Sequence, residues 1–131
     1  MKNLQLSLKT NWFEMTKAGI KTEDYREINA YWFKRLIYDY KKVYSYISIR
    51  DNHEDLDVLN LCKDSFWKKT FWFKPFEINT MTLGYPKSTD IEKILKLEHK
   101  GIEIREGNPE WGAKPGKLYF VIKHGSAIGC I

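Results

Sequence analysis

Apolar and polar side chains alternate strictly near both ends of this chain. Leu4, Leu6 and Leu8 are interleaved with Gln5, Ser7 and Lys9, and Leu118, Phe120 and Ile122 with Tyr119, Val121 and Lys123. A repeat of two marks a strand with one face on a core, because successive strand side chains point to opposite faces. Isolated strands are unstable in water, so the rest of the chain has to supply partners. Residues 21–28 read as one, with Thr22, Asp24, Arg26 and Ile28 on a common face. Residues 76–83 read as another, closed by Gly84 and Pro86. Residues 94–105 form a long one interrupted at Gly101, where a bulge or tight bend is expected.

Helical signals fall between these strands. Asn11 caps a short helix over 12–18, with Glu14 at its third position and Gly19 as terminator. Asn29 opens a second, with Trp32, Leu36 and Val43, or Phe33, Ile37 and Tyr40, along one stripe. Residues 43–49 fit a strand or a helix end, 52–57 an acidic loop and 57–69 a weakly capped helix. Gly125 begins a glycine-rich tail. At least five strands with two or three helices predict an α+β domain built around a small sheet or barrel.

The 131 residues suffice for one domain, 1–131, in which roughly two-thirds of the unfolded surface is buried without disulfide staples. No apolar run approaches the roughly 20 residues of a membrane span, and the first residues lack the apolar stretch of a signal peptide. Cys62 and Cys130 have no metal-ligand spacing. A reduced, cytoplasmic protein without membrane association is expected. The net charge is +5, and it is uneven: residues 1–50 hold ten basic and five acidic side chains, residues 51–131 twelve of each. A local positive excess attracts polyanions.

Three segments carry candidate chemistry. In Gly19-Ile20-Lys21-Thr22-Glu23-Asp24-Tyr25-Arg26 a helix ends on glycine and a strand starts at once. Two cations around one carboxylate there make either a polar cleft for a phosphate, a carboxylate or a base edge, or an ion pair on a solvated face. Trp111, inside the glycine- and proline-rich stretch 107–116, either stacks on a base or plugs the end of a barrel. Residues 66–74 interleave aromatics with lysines, which suits a single-strand binder or a core segment with a lysine-coated face. His53, His99 and His124 are scattered, so no zinc site is expected. No glycine-rich phosphate loop or nucleophile elbow is present, and no cofactor is expected.

Gly19, Lys21, Asp24 and Arg26 resemble the G-x-K-x-x-E-x-R signature of the ASCH domain family, part of the PUA-like superfamily. Leu6-Ser7-Leu8-Lys9 with Trp12-Phe13 is similar to that family's opening strand and helix. The stretch 107–116 is similar to a loop of its short bacterial and phage-type members, and Tyr119-Phe120-Val121-Ile122-Lys123 to their closing strand. The likeness covers residues 3–38 and about 76–128, and it leaves 39–75 as an insertion.

The resemblance implies a PUA-like mixed β-barrel flanked by helices, with a cleft for RNA or a modified nucleoside. Lys21 and Arg26 take the basic positions of that cleft, and Asp24 stands where the family usually has glutamate. In this reading Lys21 and Arg26 hold a phosphate or base edge, Asp24 accepts from an exocyclic amine and Trp111 stacks. Some relatives are amidohydrolases that deacetylate acetylated cytidine with a threonine, a lysine and a glutamate. Lys21 matches their lysine, but Asp24 occupies the place of the threonine nucleophile. Thr22, one strand repeat earlier, and Glu110 or Glu106 are the candidates for the missing hydroxyl and carboxylate. A carboxylate cannot copy a base-activated hydroxyl, so binding rather than catalysis is expected. A protein-interaction role for 39–75 is the further alternative.

Overall fold

The computed structural model describes residues 2–38 and 73–128. Its elements run β1 (Asn3–Leu8), α1 (Thr10–Lys17), β2 (Glu23–Arg26), α2 (Ala30–Leu36), β3 (Ile78–Leu83), β4 (Ile94–Glu106) and β5 (Leu118–Ala127). Short turns of tight helix precede β4, at Ile91–Lys93, and follow it, at Pro109–Trp111. The five strands form one mixed sheet in the order β1-β3-β4-β5-β2, with β1 parallel to β3 and the other neighbours antiparallel. The sheet curls into a half-barrel whose edge strands are β1 and β2.

The alternation in β1 turns Leu4, Leu6 and Leu8 inward, onto Phe13 of α1, Phe33 and Leu36 of α2, Met81 of β3 and Phe120 and Ile122 of β5. β5 is buried on both faces: Tyr119 and Val121 lie under Ala113 and Tyr25 in a second, smaller cluster. Gly101 has φ +108, and the β4–β5 register shifts between Leu97 and Ile102, so the expected irregularity lies there.

Three boundaries differ from the sequence expectation. α1 begins at Thr10 after Lys9, which makes no side-chain cap, so Asn11 lies inside the helix instead of capping it. α2 stops at Leu36, and Ile37 is already extended, forming an antiparallel bridge with Phe73; the stripe is therefore Phe33, Leu36 and Ile37, all fully buried. β5 runs on to Ala127, because Ala127 pairs with Leu97 across the hairpin, so Gly125 is a strand residue rather than the start of a tail. The expectations for 43–49, 52–57 and 57–69, and those for His53, Cys62 and Cys130, lie outside the described residues, as does most of 39–75. Of 66–74 the structure describes Phe73 and Lys74; Phe73 packs edge-on against Phe120 at 6.0 Å, as a core residue does. No helix among the described residues is long and apolar enough to cross a membrane.

Candidate functional site

Gly19 makes the site possible. Its φ of +78 is left-handed, and Gly19 N–H and Ile20 N–H return to the carbonyls of Thr16 (3.1 Å) and Met15 (3.0 Å). This is the paired bond set that ends a helix on glycine. Lys21 N–H also reaches the Met15 carbonyl, at 3.1 Å, so the chain turns from α1 into β2 with Lys21 at the joint. Asn29, the residue after the buried Ile28, accepts from Trp32 N–H at 2.9 Å and fixes the start of α2.

Lys21 is 3% exposed and Asp24 4%, so the pair is a buried one and not an ion pair on a solvated face. Lys21 Nζ donates to Asp24 Oδ1 and, at 2.6 Å, to the Glu23 carbonyl. An ammonium has three N–H groups, so one is left without a protein acceptor. The rings of Tyr25 and Trp12 stand 5.6 and 6.0 Å from Nζ. Asp24 Oδ2 meets His124 Nε2 at 3.1 Å. Burial by itself raises the Asp24 carboxyl, but the His124 hydrogen bond and the Lys21 charge outweigh it and hold the pKa down at about 2.

A polar chain continues from Asp24 across the inside of the half-barrel. The fully buried Asn79 of β3 lies 2.7 Å from His124 Nδ1 and 2.7 Å from His99 Nδ1, with its amide nitrogen 3.2 Å from the Lys123 carbonyl. That carbonyl only accepts, so the amide NH₂ faces it and His124, and the amide oxygen faces His99. His124 Nδ1 therefore accepts, and its Nε2 carries the hydrogen given to Asp24. Burial lowers His99 to about 4, helped by the neighbouring His124 and Lys123. Among the described residues no three His, Cys, Asp or Glu converge on a point that would hold a metal.

Arg26, two residues beyond Asp24, faces the same way. Its Nη2 donates to the Ser7 carbonyl at 3.0 Å, its Cζ lies 5.1 Å from the Trp32 ring centre, and its buried Nε has no partner. Burial lowers its pKa against the opposing pull of Asp24.

The loop after β4 completes the site. Tyr25 hydroxyl donates to Glu23 Oε1 at 2.6 Å and accepts from Asn108 N–H at 2.8 Å, while Tyr119 hydroxyl accepts from Lys114 N–H at 2.9 Å. Burial, and then the bond to Glu23, raise the Tyr25 pKa, so the phenol stays a donor. Gly112, at φ +95, lies against Trp12, where a Cβ would come within 2.9 Å of the indole. Trp111 joins neither apolar cluster; half-buried, it is a wall of the cavity and not a plug of the barrel.

Lys21, Asp24, Arg26 and Trp111 thus line a single cavity of about 340 Å³ between the two edge strands, with Trp12 and Tyr25 beside them. Lys9 and Lys114 stand at its margin. Thr22 and Glu110 are exposed and do not line it, and Glu106 is turned away to accept from Gly116 N–H at 2.8 Å. No hydroxyl–carboxylate set of the amidohydrolase kind is therefore assembled there by Thr22, Glu110 or Glu106. His124 was missed in the sequence, although extending the strand parity Phe120, Ile122 by two residues points it inward; Trp12 and Tyr25 carried no comparable signal. No family model, curated protein or solved structure matches this chain.

Proposed function

We propose that this chain is a nucleoside-binding module of the ASCH type, taking a base, free and modified or part of RNA, into the cavity beside Lys21 and Arg26. One observation carries the reading: the buried Lys21 ammonium and the half-buried Arg26 guanidinium, each with an N–H lacking an acceptor, line a cavity that also has two indoles in its wall. A buried donor without an acceptor is costly, and a ligand with acceptor atoms removes that cost. A flat ligand with acceptors on its edge suits both features, since its face meets Trp12 or Trp111 while its edge meets Arg26 and Lys21. Asp24, with both oxygens already engaged, serves in this reading to orient the Lys21 ammonium rather than to read an exocyclic amine. Lys9 and Lys114 add positive charge where a phosphate would enter.

The test is an amide-resolved NMR titration with cytidine, acetylated cytidine and short single-stranded RNA at low salt. Shifts concentrated at residues 21–26 and 111–114 are expected, and they should vanish in Arg26→Lys. Absence of shifts for every ligand overturns the reading. Release of acetate from acetylated cytidine in the same samples would replace binding with hydrolysis.

A further inference from the structure

Arg26 is the inner end of a stack that leaves the cavity. Trp32 lies beyond its guanidinium, and on the same indole, 5.8 Å from the ring centre, sits the guanidinium of Arg35. Arg35 is also 5.0 Å from the ring centre of Tyr31, and Tyr31 meets Trp32 edge-on at 5.2 Å. Cation and ring alternate from Arg26 through Trp32 and Arg35 to Tyr31. Exposure rises along the series: Trp32 is half-buried, Arg35 is exposed and Tyr31 is 57% exposed.

α2 holds the outer part of this stack in place. Tyr31 and Arg35 are four residues apart and share one ridge. Phe33 and Leu36 are fully buried in the core, so the helix cannot roll without tearing them from their packing. Among the described residues the ridge is also unneutralised. α2 contains no acidic residue, and Arg35 makes no ion pair or hydrogen bond among the described residues. Glu27, the nearest acidic residue before the helix, is tied to Lys117 at 2.6 Å. The Arg35 guanidinium therefore sits near two rings and leaves its N–H groups for solvent or a ligand.

An exposed ring beside an unneutralised arginine, continuous with a nucleoside-sized cavity, is the pattern of a surface that follows a single strand: rings accept bases of any sequence, and cations neutralise the phosphates between them. We propose that the Tyr31–Arg35 ridge is a second subsite where a single-stranded nucleic acid continues out of the cavity, Tyr31 stacking on a base and Arg35 contacting the phosphate linking it to the nucleotide within. This rests on the cavity being a nucleoside site, and it narrows the ligand to a strand in preference to a free nucleoside.

The test titrates the parent protein, Arg35→Ala and Tyr31→Ala with cytidine monophosphate and with short oligocytidylates of ribose and of deoxyribose. Both substitutions are at exposed positions, and a thermal melt confirms that each variant is folded. The parent should bind an oligonucleotide about tenfold or more tighter than the monophosphate. Each variant should lose about tenfold on the oligonucleotide and nothing on the monophosphate, and Arg35→Ala should reduce the salt slope by about one phosphate. The sugar giving the tighter complex names the strand. Monophosphate binding with no gain on lengthening, or variants that weaken both ligands alike or neither, overturns the ridge and leaves the cavity reading standing. Failure of the parent to bind any of the three overturns the cavity reading and this proposal with it.

Discussion

Arg26 Nη2 donates to the backbone carbonyl of Ser7 at 3.0 Å, from one edge strand of the sheet to the other. β1 and β2 share no ladder, so this bond crosses the seam at which the half-barrel stays open. Arg26→Lys keeps the charge and loses the planar fork. It should lower unfolding free energy by about 1–2 kcal/mol, the worth of a charged hydrogen bond at a partly covered site. Urea denaturation measures it, and a variant as stable as the parent would show the seam bond to be dispensable.

Gly107 and Gly116 should respond differently to alanine. A Cβ on Gly107 would lie 2.6 Å from Tyr25 Cε1 and 2.7 Å from the Ala113 Cβ, inside the packing that also holds the Tyr25–Asn108 bond. Gly107→Ala should cost about 1–3 kcal/mol by overpacking and shift the emission of Trp111, which hangs from the same loop. Gly116 has nothing within 4 Å of the added carbon but a φ of +77, so its alanine variant should lose only about 1 kcal/mol of backbone strain, with tryptophan emission unchanged. Equal losses at the two positions would contradict the packing argument.

Acid should weaken the fold in two stages. His99 is lowered from 6.5 to about 4, so between those values the unfolded chain binds a proton that the folded one does not. Its contribution is complete above pH 6.5 and is lost as the pH falls toward 4. Asp24, lowered from 3.8 to about 2, contributes fully above pH 3.8 and loses that contribution as the pH falls toward 2. Melting temperature against pH should therefore decline in both windows, and His99→Gln should flatten the upper one alone.

Asn79→Leu keeps nearly the same volume but takes both partners from two ring nitrogens. His99 Nδ1 loses its acceptor and His124 Nδ1 its donor, at about 1–3 kcal/mol for each buried group left unpaired. Chemical denaturation should show a loss above the few tenths typical of surface changes. A loss below 1 kcal/mol would mean that water replaces the amide.

The local signals in the sequence were the readable ones. Leu4, Leu6 and Leu8 announce β1 because the core lies on one face, and Gly19 and Asn29 announce a helix end and a helix start because each does its work within three residues. Asp24 and Arg26 follow from parity on β2, whereas Lys21 reaches the site from the joint before that strand. What sequence could not show came from pairing at a distance. His99 and His124 are 25 residues apart in the chain, yet the β4–β5 hairpin sets them opposite each other, and Asn79 of a third strand joins them. Asn11 failed as a cap because the helix begins at Thr10, one residue before it. Thr22 sits in the joint before β2, so strand parity did not apply to it.

The gap between β1 and β2 gives the cavity a mechanical meaning. Any guest lodged there spans two staves that no backbone bond joins, and so behaves as the missing hoop of the barrel. Occupancy and closure are then one equilibrium: a guest at a hundred times its dissociation constant would tighten the whole sheet by about 2.7 kcal/mol, and a loosened sheet would hold its guest correspondingly less well.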